Sequence, residues 1–149
     1  MFQQVTENKK QYLNLLLLAD EQESMIDRYL ERGEMFALVE DDVKTICVVT
    51  DEGAGSCELK NLATAPAYQG KGYGKQMLNF LFRHYRSRFH TMLVGTGDSI
   101  CTIPFYQKCG FAESYRVKNF FIDNYDHAIF EGGKQLTDMV YLVKDLRTD

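Results

Sequence analysis

The stretch Gln69-Gly-Lys-Gly-Tyr-Gly74 joins a strand-like apolar run that ends at Pro66 to a long amphipathic helix pattern. Its glycines allow consecutive backbone N–H groups to turn toward one point, because no Cβ interferes. The helix that follows adds its unpaired N-terminal amides and the positive end of its dipole. The stretch therefore predicts a loop that binds an anion such as a phosphate group.

The spacing of these glycines excludes the two most familiar phosphate loops. A P-loop requires Gly-x-x-x-x-Gly-Lys-[Ser/Thr], but Gln69 occupies the first glycine position counted back from Gly74, and Gln76 follows Lys75 where a hydroxyl residue belongs. A dinucleotide loop requires a third glycine where Lys75 or Met77 stands. The pattern that remains is Gln-x-x-Gly-x-Gly.

A second segment, Phe105-Tyr-Gln-Lys-Cys-Gly-Phe111, completes the pattern. The loop resembles the acyl-CoA pyrophosphate loop of the GNAT N-acetyltransferase superfamily, [Gln/Arg]-x-x-Gly-x-[Gly/Ala], and the second segment resembles the FYxKxGF stretch that closes its cofactor cleft. Both occur in the family's order, and the resemblance covers most of the chain. It implies an enzyme that moves an acetyl group from acetyl-CoA to a primary amine by direct attack in a ternary complex.

The order of the predicted elements agrees with the fold of that superfamily. Hydrophobic periodicity and turn residues predict an α+β fold with a mixed, mostly antiparallel sheet of about seven strands flanked by four helices. The resemblance implies that the fourth and fifth strands splay apart, so that the pantetheine arm pairs with the backbone at 61–65. The predicted strands are 2–6, 35–40, 45–51, 57–65, 91–95, 113–121 and 138–143. The predicted helices are 6–18, 21–32, 74–88 and 102–110, and residues 124–135 are predicted to form an irregular loop.

The resemblance also assigns chemical roles. Tyr106 matches the tyrosine that gives a proton to the departing thiolate, and the alternative is a packed aromatic ring with a satisfied hydroxyl. Glu58 occupies a position where many relatives carry a carboxylate base; because an ordinary Glu has a pKa of about 4.3, it needs burial or a relayed water. Its alternatives are a strand-face glutamate that attracts a cationic substrate, or a water chain as the base. A backbone N–H at Leu62 or Ala63, beside a strand bulge, is expected to bind the oxyanion.

The residues expected to contact acetyl-CoA lie on the fourth strand, the glycine loop and the later helix. Lys71 and Lys75 either add charge to the phosphate site or extend into solvent. Ser99 stands where relatives often carry an asparagine, and its hydroxyl can still form a hydrogen bond. The predicted cofactor-binding residues are Leu62, Ala63, Thr64, Gln69, Gly70, Lys71, Gly72, Tyr73, Gly74, Lys75, Ser99 and Tyr106.

Composition indicates one compact enzyme domain over residues 1–149, with 45% hydrophobic and 26% charged residues. The net charge of −4 argues against nucleic-acid binding. Four cysteines without Cys-x-x-Cys spacing are predicted to be reduced core thiols, and the three scattered histidines predict no metal site. Without a signal-like segment or a membrane-length apolar run, the protein is expected in the cytoplasm and not in a membrane.

The acceptor is expected to enter opposite the cofactor, between the N-terminal helices and the loop before the last strand. These segments are acidic, which favours a cationic acceptor, although charged loops are often merely solvated. Small amines, polyamines and peptide N-termini remain open, and a homodimer through the late strands is possible. The functional alternatives are a non-catalytic acyl-CoA sensor and an interaction domain of the same fold. The acidic residues are Asp20, Glu21, Glu23, Asp123, Asp126, Glu131 and Asp138.

Overall fold

The computed structural model describes residues 1–148. Its α-helices are α1 (Leu13–Ala19), α2 (Glu23–Ile26), α3 (Tyr73–Tyr85), α4 (Ile103–Lys108) and α5 (Phe120–Asn124), with short 3₁₀ turns at Lys9–Tyr12 and Pro66–Tyr68. Its strands are β1 (Phe2–Val5), β2 (Glu34–Glu40), β3 (Asp42–Gly53), β4 (Ser56–Thr64), β5 (Thr91–Gly97), β6 (Ala112–Val117), β7 (Phe130–Glu131), β8 (Lys134–Gln135) and β9 (Met139–Asp145).

Seven of these strands form one sheet in the order β1-β2-β3-β4-β5-β9-β6, and β7 and β8 form a separate hairpin. All pairs in the large sheet are antiparallel except β4 and β5. The parallel ladder runs only from Ser56↔Thr91 to Leu59↔Val94, after which the strands separate. The mixed α+β sheet and the splayed fourth and fifth strands are therefore confirmed.

A β-bulge marks the point of separation. Val48 of β3 faces Asn61 of β4, whereas Val49 faces Leu59, so Lys60 is the extra residue on β4. A bulge bends the strand that carries it and increases its local twist. The bulge thus helps to turn β4 away from β5 immediately after their last paired residues.

The two faces of the sheet carry separate cores. On one face, Leu59 packs with apolar residues of α3 and α4, including Met77 and Tyr106. On the other face, Ala63 packs with Leu16 of α1 and neighbouring apolar residues. Residues four apart on a regular strand share a face, but the bulge in β4 reverses the alternation between Leu59 and Ala63, so the strand packs against helices on both of its sides.

The two long N-terminal helices predicted from the sequence are shorter in the structure. Asn8 adopts a left-handed backbone conformation with φ 49°, which interrupts the helix predicted at 6–18. The second helix ends at Ile26 as a regular α-helix and continues as tight turns to Gly33. The Lys9 ammonium donates to the carbonyls of Leu30, at 2.9 Å, and Gly33, at 2.7 Å, and so stabilises these turns.

The later part of the chain also departs from the prediction. The strand predicted at 113–121 ends at Val117, and Asn119, with φ 58°, begins α5 while its N–H donates to the Asp138 carboxylate at 3.0 Å. The loop predicted at 124–135 contains the β7–β8 hairpin. The chain therefore has five α-helices within residues 1–148, where four were predicted.

The cysteine prediction was only partly correct. Cys47 and Cys57 are buried, and burial raises the pKa of both thiols to about 12. Cys101 is exposed and Cys109 is half-buried. The apolar residues around Cys101 in the sequence do not enclose it, because the segment before α4 runs over the surface.

Candidate active site

Two clefts open where β4 and β5 separate. The loop-side cleft, of about 460 Å³, lies against the glycine loop and α4. The acidic cleft, of about 350 Å³, lies between the end of α1, strands β4 and β5, and the β7–β8 hairpin. Leu62, Thr102 and Tyr106 line both clefts, so the clefts meet at these side chains.

The loop-side cleft contains most of the residues that the sequence predicted for cofactor binding. Ala63, Lys71 and Ser99 are not among the residues that line it. Lys71 is exposed on the loop, and its ammonium lies 6.0 Å from the centre of the Tyr68 ring. The predicted residues that do line this cleft are Leu62, Thr64, Gln69, Gly70, Gly72, Tyr73, Gly74, Lys75 and Tyr106.

The glycine loop presents bare backbone to open space. Gly70 and Gly72 have φ values of 76° and 87°, which residues other than glycine adopt at a cost. A Cβ added at either position would meet no atom within 4 Å. Gly72 is the N-cap of α3 and provides no side-chain cap, so the first helical amides are available to an anion. Gln69 fixes the loop, since its Nε2 donates to the Thr64 carbonyl at 3.1 Å.

The backbone of β4 has polar groups that face the gap. The Ala65 N–H donates to the Lys44 carbonyl of β3 at 2.8 Å. Because backbone polar groups alternate along a strand, those of Ala63 also face β3, and those of Leu62 and Thr64 face the gap left by β5. Leu62 is thus oriented for the oxyanion role predicted for Leu62 or Ala63, whereas Ala63 is turned toward β3.

Tyr106 lies where the two clefts meet, and its hydroxyl has no hydrogen-bond partner among the described residues. The residue is 9% exposed, and its ring packs edge to face against Phe105 and Phe111 at centroid distances of 5.2 and 5.6 Å. Within residues 1–148, its hydroxyl forms no hydrogen bond, yet it is not closed off from the cleft. Burial raises the pKa of the Tyr106 phenol, which therefore remains a proton donor at neutral pH. The alternative of a satisfied core hydroxyl does not describe this side chain.

Glu58 occupies a different environment from the one that a direct base needs. It is 7% exposed, and its carboxylate lies 3.0 Å from the Lys60 ammonium. Burial raises the pKa of Glu58, and Lys60 opposes that shift. Lys60 lines the acidic cleft, whereas Glu58 lines neither cleft. Of this ion pair, only Lys60 reaches the acidic cleft.

Ser99 is connected to the acidic cleft through Glu131. Its hydroxyl oxygen accepts the Cys101 N–H at 3.0 Å, and the hydroxyl is near enough to Glu131, which lines the cleft, to influence the pKa of that carboxyl. Burial raises the pKa of Glu131, and the Ser99 hydroxyl opposes that shift. Glu131 and Tyr106 line the same cleft.

The acidic cleft collects only some of the acidic residues noted in the sequence. Asp20, Glu21 and Glu131 line it together with Phe121 and Tyr125. The remaining acidic residues, Glu23, Asp123, Asp126 and Asp138, do not. Among the described residues that line this cleft, three carboxylates outnumber the single ammonium of Lys60, and the excess of negative charge favours a cationic ligand.

Glycines of β5 shape the wall opposite β4. A Cβ at Gly97 would come within 2.5 Å of Leu136 Cδ1, and one at Gly95 within 2.9 Å of Met139 Sδ. Both distances are shorter than real Cβ contacts. Glycine therefore allows side chains around the hairpin and β9 to pack directly over β5 at the end of the acidic cleft.

Over residues 1–148, no group of three or more His, Cys, Asp or Glu side chains is arranged to hold a metal ion. In the same part of the chain, no helix is sufficiently long and apolar to span a bilayer.

Residues 31–113 match the family model described as "Acetyltransferase (GNAT) domain". The chain is 38% identical over 143 residues to the uncharacterized N-acetyltransferase YvbK of Bacillus subtilis, a match that covers 94% of this chain and 92% of the relative. A GNAT family acetyltransferase from Elizabethkingia anophelis, solved with acetyl-CoA bound, is 32% identical with a TM-score of 0.91, and 97% of each chain is covered. A Bacillus subtilis acetyltransferase in complex with CoA is 35% identical with a TM-score of 0.89, again over 97% of each chain.

Proposed function

The chain belongs to the GNAT acetyltransferase family, and we propose that its loop-side cleft binds acetyl-CoA while its acidic cleft binds the amine that receives the acetyl group. The observation that carries this assignment is the Tyr106 hydroxyl, which is unpaired within residues 1–148 and lies where the two clefts meet. The protein is an acetyl-CoA-dependent N-acetyltransferase. The roles of individual residues below are our proposals.

The loop-side cleft fits a CoA thioester in three respects. The exposed backbone of the glycine loop and the start of α3 suit a pyrophosphate group. The backbone groups of Leu62 and Thr64 that face the gap suit an extended arm with amide groups, in the manner of an added strand. Lys75 lines the cleft and can add positive charge, whereas Lys71 does not line it.

The reaction needs three functions from the protein, because acetyl-CoA supplies an acetyl group activated as a thioester. As the amine nitrogen bonds to the carbonyl carbon, the Leu62 N–H stabilises the developing oxyanion. As the carbon–sulfur bond breaks, the Tyr106 hydroxyl gives its proton to the thiolate. The proton lost by the amine passes to a base and then, by way of solvent, a proton returns to Tyr106, so that the products are an N-acetylated amine and free CoA.

Two carboxylates are candidates for the base. Glu58 is the one predicted from the sequence, and a proton would reach it only by a relay past Lys60. Glu131 and Tyr106 both line the acidic cleft, and burial raises the pKa of Glu131, which improves its ability to accept a proton near neutral pH. We therefore propose Glu131 as the more direct proton acceptor and Glu58 as the alternative.

The acceptor class follows from the acidic cleft. Its three carboxylates and its aromatic side chains favour an amine that is cationic in solution, whether a small amine, a polyamine or a peptide N-terminus. A cytoplasmic location, a homodimer through the late strands and a single domain over residues 1–149 stay predictions from the sequence.

The test is release of free thiol from acetyl-CoA by purified protein across primary amines, polyamines and short peptides, with each product identified by mass spectrometry. Release that depends on an amine and yields an N-acetylated product supports the assignment. Binding of acetyl-CoA without turnover on any acceptor would favour the sensor alternative. Failure to bind acetyl-CoA at all would overturn the assignment of the loop-side cleft.

A further inference from the structure

Asp20 carries a carboxylate into the acidic cleft at the end of α1, where two tyrosines bind it. The Tyr125 hydroxyl donates to Asp20 Oδ1 at 2.7 Å, and the Tyr29 hydroxyl donates to Oδ2 at 3.0 Å. Tyr29 follows α2 and Tyr125 follows α5, so distant parts of the chain converge on one carboxylate. Such a fixed carboxylate is arranged for binding and is not merely a solvated loop charge.

Asn61 of β4 extends this network and fixes its orientation. Its Nδ2 donates to the Leu16 carbonyl at 3.0 Å and to the Tyr29 hydroxyl oxygen at 3.1 Å. A carbonyl can only accept, so the amide must present its NH₂ group to Leu16. Asn61 Oδ1 is then a buried acceptor without a hydrogen-bond partner within residues 1–148, in a residue that lines the acidic cleft. The Asp20 carboxylate and the unpaired Asn61 Oδ1 thus belong to the two residues that flank the Tyr29 hydroxyl.

The Asp20 carboxylate forms no close ion pair in the part of the chain that the structure describes, although Arg28 lies near enough to oppose the rise of its pKa. Within residues 1–148 it takes part in no ion pair shorter than 4 Å, and the nearby Arg28 donates to Asn124 Oδ1 at 3.1 Å. By contrast, Glu21 in the same cleft lies 3.1 Å from His127 Nε2. Asp20 is half-buried, and a partly desolvated carboxylate is stabilised by a cation more than by neutral hydroxyls alone. A cation that enters the cleft would complete the site.

We infer that Asp20 and Asn61 Oδ1 bind a second, non-reacting cationic group of the acceptor, so that the preferred substrate is an amine with two positive charges. This inference rests on the proposed function of the acidic cleft. The attacking nitrogen must be unprotonated, and a carboxylate that stabilised its ammonium form would slow the reaction. Asp20 therefore suits the end of the acceptor that does not react, while the other end reaches Tyr106.

The first experiment uses the unmodified protein and compares butanediamine with butylamine, then extends the diamines from propanediamine to hexanediamine. A charge-assisted contact predicts a kcat/KM that is about 10- to 100-fold higher for the best diamine than for its matched monoamine. Because acetylation removes one charge, the monoacetylated diamine is expected to accumulate and to react further at least about tenfold more slowly. Equal rates for diamine and monoamine, or rapid double acetylation, would overturn the inference.

The second experiment compares Asp20→Asn with Asp41→Asn, which makes the same chemical change at an exposed turn outside both clefts. Asp20→Asn is expected to abolish most of the diamine preference, and Asp41→Asn to leave it intact. Melting temperatures with and without butanediamine serve as a direct binding readout, since a ligand raises the melting temperature only of a protein that binds it. The role of Asp20 would be refuted if Asp20→Asn keeps the diamine preference. It would also be refuted if Asp41→Asn loses the preference, or if Glu131→Gln is the only variant that loses it.

The two proposals fail in different ways. If the protein acetylates no amine, the proposed use of the acidic cleft is wrong. If it acetylates monoamines and diamines equally well, the cleft assignment stands and the Asp20 inference alone is wrong. Should Asp20→Asn fail to fold, the accumulation of monoacetylated product by the unmodified protein still decides the question.

Discussion

Replacing Tyr106 by phenylalanine should impair catalysis without weakening the fold. The Tyr106 hydroxyl forms no hydrogen bond within residues 1–148, so its removal breaks no native interaction, and the ring keeps its contacts with Phe105 and Phe111. The free energy of unfolding is expected to change by less than about 0.5 kcal/mol, because no partner is left unsatisfied. Loss of the proton donor is expected to lower kcat by about 10²- to 10³-fold.

Tyr85→Phe is the matched control, because the same atom is removed from a different environment. Tyr85 is the buried last residue of α3, and its hydroxyl donates to Glu34 Oε1 at 2.7 Å. A hydrogen bond to a charged group contributes about 1.5 kcal/mol or more to stability, so its loss is expected to lower the melting temperature by roughly 3–6 °C. Tyr85 lines neither cleft, and kcat should remain close to that of the unmodified protein.

The two variants are compared by thiol release at saturating acetyl-CoA and amine, by calorimetric binding of CoA, and by thermal unfolding. The expected result is a crossed pattern, in which Tyr106→Phe is stable and slow while Tyr85→Phe is unstable and active. CoA binding should persist in both variants. The reasoning fails if Tyr106→Phe retains full kcat, and it also fails if that variant is slow only because it is unfolded at the assay temperature.

Three further substitutions test the base, the loop and the acceptor network. Glu131→Gln should remove the fall of kcat at acid pH, because burial raises the pKa of Glu131 and its base form is lost as pH falls through that pKa. If only Glu58→Gln removes that fall, Glu58 is the base. Gly72→Ala should weaken CoA binding in calorimetry, because the φ of 87° costs alanine about 1 kcal/mol or more and the loop is expected to leave its binding conformation. Unchanged affinity would contradict the loop assignment. Asn61→Ala should lower the melting temperature through loss of two hydrogen bonds worth about 1 kcal/mol each, whereas the exposed Asn79→Ala should not.

The sequence predicted the parts of the molecule whose constraints are local. The glycine loop and α3 were predictable because backbone freedom and helical periodicity depend on residues that are close together in the sequence. The first two helices were overestimated because what interrupts them is not local. Asn8 leaves the helical region, and the Lys9 ammonium binds carbonyls of residues more than twenty positions away. Hydrophobic periodicity cannot predict such a long-range contact.

The β7–β8 hairpin had a signal that the prediction missed. Gly132-Gly133 between two short extended pairs is a typical two-residue hairpin turn, and both glycines have positive φ. Recognising it would have placed Glu131 at the end of a strand rather than in an irregular loop. That Glu131 then meets Asp20 in one cleft, while Asp126 does not line it, depends on the tertiary fold and had no signal in the sequence.

The active site and the architecture depend on the same feature, the early end of the parallel ladder. The bulge at Lys60 turns β4 aside, and the separation leaves backbone groups of Leu62 and Thr64 unpaired by any strand. Unpaired strand groups at an outer edge invite association with other chains. Here they lie in the middle of a sheet, between the glycine loop and the hairpin, where a narrow extended ligand can pair with them but a second protein strand has little room. The fold thus forgoes hydrogen bonds at its centre, and in the proposed function acetyl-CoA restores them while it brings its thioester to Tyr106.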